Sequence, residues 1–178
     1  SLARHNINLE LREATAEGAV HGLFTLKKNE HTDIFSTITH FADHTYSDQL
    51  FKGILAGESH GVFTGKIIIK QDAQQSTSSQ LNKNLILSKK ARIDTRPQLL
   101  VHADDVKCSH GATIGQLSGD EEFYLQSRGI PKEHARRMLC FGFATDALQK
   151  IENEQIKQFA EKLVTKNFDQ TALNEMNL

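Results

Sequence analysis

Two residues of the 178-residue chain have the type and spacing to hold a soft metal: Cys108 and His110. On a strand, positions i and i+2 face the same side. A sulfur and an imidazole nitrogen then project together from Cα atoms about 7 Å apart. Two donors are too few for a closed tetrahedral site, so a metal held here needs ligands from elsewhere. Cys108 also reads as a small buried residue, the usual place of a free cysteine. His110 also reads as a polar residue that only hydrogen-bonds. Asp104 and Asp105 do not make a catalytic pair, because adjacent strand residues face opposite sides, and they suit a turn. Cys140 lies on an apolar helical face and suits core packing. His5, His21, His31, His40, His44, His60, His102 and His134 show no ligand spacing and read as surface or turn positions.

The elements that must position Cys108 and His110 are short strands on the N-terminal side and helices on the C-terminal side. Residues 6–12, 18–26, 33–41, 46–56 and 61–70 are alternating or β-branched runs. Further strand signals lie at 85–87, 91–95, 99–103 and 106–114. No helical period interrupts them. Asn-Gly and Asp-Gly hairpin dipeptides are scarce, which speaks against a meander. A sandwich, a barrel and a β-solenoid remain. Polar stretches such as Gln71 to Gln80, with Asn82 and Asn84 beyond, favour the solenoid, where stacked turns align amides and hydroxyls in hydrogen-bonded ladders. The spacing between strands wanders, 19 residues from Lys66 to Leu85 and 14 from Leu85 to Leu99, and defines no repeat.

Helices are expected after Gly115. Ser118 followed by Glu121 is a capping box, Gly129 a stop and Pro131 a first helical residue. Ala135, Met138, Leu139, Gly142 and Phe143 form one apolar face. Ile156, Phe159, Ala160, Leu163 and Val164 form another. The division falls between residues 1–116, a β-rich core, and 117–178, a helical domain. Residues 168–178 read as a last helix or a tail.

The 21 basic and 22 acidic residues leave a net charge of -1, which argues against nucleic acid or an anionic membrane as partner. No apolar run is long enough to span a membrane. Two cysteines make no disulfide framework, and a reducing, cytoplasmic location fits them. No signal peptide is evident, and the absence of an initiator Met suggests a piece of a longer protein.

The string Ala103-Asp104-Asp105-Val106-Lys107-Cys108-Ser109-His110-Gly111-Ala112-Thr113-Ile114-Gly115 resembles the SufD family of iron–sulfur cluster assembly subunits. So do Phe123-Tyr124-Leu125 and Ser127-Arg128-Gly129-Ile130. Upstream, Phe51-Lys52-Gly53-Ile54, Val62 to Ile67, Asn84 to Ser88 and Ala91 to Leu99 agree with it. The resemblance runs from about Leu9 to about Leu148, and the chain looks like the C-terminal half of such a protein. It implies a mainly β fold: a partial right-handed parallel β-helix followed by a small C-terminal α-helical domain. It also implies a non-catalytic scaffold that pairs with SufB, β-helix to β-helix, and docks the ATPase SufC on its helices. His110 matches the family's cluster-assembly histidine and Cys108 the neighbouring cysteine. An iron–sulfur cluster would pass transiently through the SufB–SufD interface, with no cofactor resident in the chain alone. Tyr124, Arg128, Arg136, Arg137, Met138 and Phe141 are candidate contacts for SufC, although Arg136 and Arg137 read more simply as a solvated helix face. No Walker A motif occurs, so ATP hydrolysis would belong to the partner.

Two other function classes compete. Parallel β-helices also carry carbohydrate-active lyases and hydrolases, but a chain with no Trp and two Tyr is poor in sugar-stacking surface. The third is an interaction module with no cluster role. A solenoid with an uncovered first turn exposes unpaired backbone, which predicts self-association, a homodimer of the isolated chain.

Overall fold

The computed structural model describes residues 1–167. Eight strands come first: β1 (Leu2–Leu11), β2 (Glu17–Leu26), β3 (His31–His40), β4 (Tyr46–Leu55), β5 (His60–Ile69), β6 (Ser76–Ile86), β7 (Arg92–Val101) and β8 (Val106–Gly115). Three helices follow: α1 (Gly119–Ser127), α2 (Lys132–Leu148) and α3 (Glu154–Asn167). All strand pairs are parallel and join alternate strands, giving two four-stranded sheets in the orders β1-β3-β5-β7 and β2-β4-β6-β8. The chain is a parallel β-solenoid of four turns, each turn laying one strand in each sheet.

The repeat hidden in the strand spacing follows from this winding. Leu2 pairs with His31 and His31 with His60, steps of 29 residues, and His60 pairs with Arg92, a step of 32. The spacings of 19 and 14 residues are the two unequal halves of one turn, because they connect strands of different sheets. One row of corners is built without glycine. Thr15, His44 and Gln75 hold positive φ there, at equivalent places in successive turns. Each bonds its amide to a carbonyl of the next turn: Asp43, Gln74 and Asp105. The scarcity of hairpin dipeptides follows, because among the described residues no strand pairs with the next one in sequence.

Alternation places one residue in two inside. In the first sheet Leu9, Ile38, Ile67 and Leu99 form one inward row, and in the second Gly22, Phe51, Asn82 and Ala112 form another. The expected segments 91–95 and 99–103 are one strand. Pro97 lies in its middle and lacks an amide proton, which is tolerated because β7 is an edge strand. The polar run before Asn82 is a strand from Ser76 onward, not a turn. Ser76, Ser78, Gln80, Asn82 and Asn84 are its buried, inward residues.

The helices pack on the outer face of the second sheet. Ile54 and Leu85 from the strands share a core with Cys140, Ala144, Leu148 and Val164 from the helices. The buried positions of α2 are Ala135, Cys140, Ala144, Ala147 and Leu148, whereas Met138, expected on the packed face, is 52% exposed. Ser118 caps α1 as expected, its side chain accepting from the amide of Glu121 at 3.3 Å, and Gly129 ends the turn with φ +83°. Pro131 sits at the N-cap of α2, one residue earlier than expected. Lys52 fixes the helices to the solenoid. Its side chain is buried, and Nζ donates to Phe143 O at 2.6 Å and to Asp146 Oδ2 at 2.5 Å. The hydrogen bond from Lys52 holds the Asp146 carboxyl below its usual range. The expectation of a last helix or tail over 168–178 lies outside the described residues. No helix among the described residues is long and apolar enough to cross a membrane.

Candidate functional site

Cys108 and His110 stand on β8, the edge strand of the second sheet. By register Cys108 follows Ser78, and His110 follows Gln80. Since Ser78 and Gln80 point inward, both candidates lie on the inward side of the last turn, as their spacing predicts. Their surroundings differ. Cys108 is half-buried against Ile67, Ile69, Ala73 and Ala103. Burial pushes its thiol up, and a hydrogen bond with the Ser78 backbone only partly offsets this. Cys108 is therefore a protonated thiol at neutral pH, part of the core as it stands. His110 is exposed, because among the described residues no further turn covers it. Among the described residues no group of three or more His, Cys, Asp or Glu side chains could hold a metal ion. Asp104 and Asp105 form the expected turn: Asp105 accepts from the amide of Gln75 at 2.6 Å and donates its own amide to Gln74 Oε1 at 3.0 Å.

Beneath this exposed turn runs a polar interior. His40 is fully buried, with Nδ1 2.7 Å from Thr45 Oγ1 and Nε2 2.8 Å from Ser47 Oγ. Ser47 Oγ lies 2.7 Å from Ser78 Oγ, and Thr45 Oγ1 lies 2.7 Å from Ser76 Oγ. Gln49 Nε2 donates to Ser36 Oγ at 2.8 Å, and Gln80 Nε2 to Gln49 Oε1 at 2.5 Å. Asn82 Oδ1 accepts from Asn84 Nδ2 at 2.6 Å and from Thr95 Oγ1 at 2.7 Å. The sequence announces such ladders by its Ser, Gln and Asn, but as linked turns. They are inward strand rows, and their signal is polar residues at every second position. Desolvation pushes the His40 pKa down to about 4, so it is a neutral core residue and not the turn residue expected. His21 and His60 are likewise not idle surface groups. Each reaches a carboxylate, Asp48 at 3.0 Å and Asp94 at 2.8 Å.

The six candidate contact residues fall into two sets. Tyr124, Met138 and Phe141 are exposed, and Arg128 stacks its guanidinium 5.2 Å from the Tyr124 ring centre. Arg136 and Arg137 are half-buried, which corrects their reading as a solvated face. Arg136 Nε donates to Glu122 Oε2 at 2.9 Å, tying α2 to α1. Phe123 on α1 and Ile156, Phe159 and Leu163 on α3 are further exposed apolar side chains of the helices. The candidates thus lie in two places: His110 on the open last turn, and exposed apolar side chains on the helices.

Comparison with known proteins agrees with this architecture. The model of the SufBD core domain, described as SUF system FeS cluster assembly, matches residues 1–143. An iron–sulfur cluster assembly SufBD family protein of Synechocystis is 43% identical over 150 residues, 84% of this chain and 33% of that protein. The iron–sulfur cluster assembly protein SufD of Escherichia coli is 36% identical over 158 residues, 89% of this chain and 37% of that protein. SufD of Bacillus subtilis is 34% identical over 132 residues, 74% and 30% of the two chains. The chain spans about a third of the length of these relatives, not half. A parallel β-solenoid with C-terminal helices, matched by that domain over most of its length, belongs to the SufBD family of the SUF iron–sulfur cluster assembly system.

Proposed function

We propose that this chain is a scaffold subunit without catalytic chemistry of its own, and that its open last turn is the surface on which a second β-solenoid, SufB, completes the site. The observation that carries this reading is the exposure of His110 on the inward side of an edge strand. A neutral imidazole there offers a lone pair to iron, and the remaining donors come from the other subunit. The shortage of ligands is the expected property of a half-site. The iron–sulfur cluster is cargo that forms across the joint and leaves. Cys108 packs the floor beneath it, and its raised thiol argues for support over ligation in the resting state.

The exposed apolar side chains Phe123, Tyr124, Met138, Ile156 and Phe159 of the helices suit docking of the ATPase SufC, with Arg128 beside Tyr124. Motion of that ATPase would reach the solenoid through the core shared by α2, β4 and β6 and through Lys52. The test is His110→Ala in the full-length subunit assembled with SufB and SufC. Loss of cluster formation with assembly intact is the expected result. Unchanged cluster formation removes His110 from the site.

A further inference from the structure

We propose that Gln80 is a positioning residue for His110: its side-chain carbonyl accepts the N–H of one imidazole nitrogen and so leaves the other nitrogen with a free lone pair. This builds on the reading of His110 as a donor to the cargo. Three observations carry it.

First, the amide ladder has a direction. Gln49 donates to Ser36, and Gln80 donates to Gln49. With its NH2 engaged below, Gln80 has its carbonyl left over. Second, that atom, Gln80 Oε1, is buried and has no hydrogen-bond partner, and Gln80 itself is 2% exposed. An unmade acceptor in the interior is costly, so a donor within reach gains by turning to it. Third, the residue paired with Gln80 on the edge strand is His110. The other inward residues of β8 are Val106, Cys108, Ala112 and Ile114, none of which has a strong side-chain donor. The opposite strand leaves room for the Gln80 amide. A Cβ on Gly65 would lie 2.5 Å from Gln80 Nε2, so the glycine makes the space that the amide occupies.

A neutral imidazole has one N–H and one bare nitrogen, and the partner of the first selects the second. Metal-binding histidines are oriented in this way by the acceptor of their other nitrogen. Here the orienting acceptor would belong to the subunit itself, whereas the ligands that complete the site would not.

The experiment is 15N imidazole NMR on the full chain at about pH 8, where histidine is neutral. His102 and His134, both exposed, serve as internal controls. His110 is expected to favour one tautomer about tenfold, equivalent to about 1.4 kcal/mol. Gln80→Met keeps the volume and removes the acceptor, and should return His110 to the ratio of the controls. A wild-type His110 ratio equal to that of His102 and His134 overturns the proposal without any variant. A preference that persists in Gln80→Met overturns it as well. The measurement is independent of cluster chemistry: a locked tautomer with unimpaired assembly by His110→Ala keeps Gln80 as the acceptor and removes the cargo role of His110.

Discussion

Lowering the pH tests the polar interior through one residue. His40 is wholly buried between Thr45 and Ser47, and its pKa is depressed from 6.5 to about 4 by desolvation. Between those two values the unfolded chain takes up a proton that the folded chain refuses. Stability therefore rises with pH across the window and is lost as pH falls through it. Each tenfold loss of proton affinity on folding is worth about 1.36 kcal/mol, so the full effect is about 3 kcal/mol and at pH 5 about 2 kcal/mol. The assay is urea unfolding at about pH 7 and about pH 5 for the wild type and His40→Gln. The glutamine variant loses basal stability, because two hydrogen bonds are disturbed, but its further loss on acidification should be smaller than that of the wild type by about 2 kcal/mol. Equal losses in the two proteins would refute a neutral buried His40. So would a His40 NMR titration in the wild type centred near 6.5, its ordinary value. The second measurement decides the matter even if the variant fails to fold.

Two further outcomes follow from the packing and the edges. Lys52 covers apolar surface with its stem while its ammonium meets Phe143 O and an Asp146 side chain that is 61% exposed. Lys52→Ala should cost about 3 kcal/mol and Lys52→Met less than about 1.5 kcal/mol, read by thermal unfolding, and equal losses would show that the stem contributes nothing. The strands β1 and β2 at one end and β7 and β8 at the other have one neighbour each, so the isolated chain should self-associate. Sedimentation velocity over a dilution series should show a concentration-dependent species, and a monomer at every concentration would refute this.

The sequence alone determined that strands precede helices, where α1 is capped by Ser118 and ended near Gly129, and that Cys108 and His110 face one side of a strand. These are local matters. Alternation, capping chemistry and a left-handed glycine act over a few residues, so their signals sit in contiguous sequence. The family resemblance in the segment around Cys108 and His110 added the parallel winding, which spacing by itself left open against a sandwich. Only the tertiary structure decided which residues meet across a turn of the solenoid. The 29-residue step from Leu2 to His31 joins strands that neighbour each other in space, while consecutive strands lie in different sheets. The same winding turned Ser78 and Gln80 inward, made His40 a core residue and left His110 uncovered beside the half-buried Cys108. Burial is a property of the neighbouring turns, and no window of the chain around Cys108 and His110 contains them.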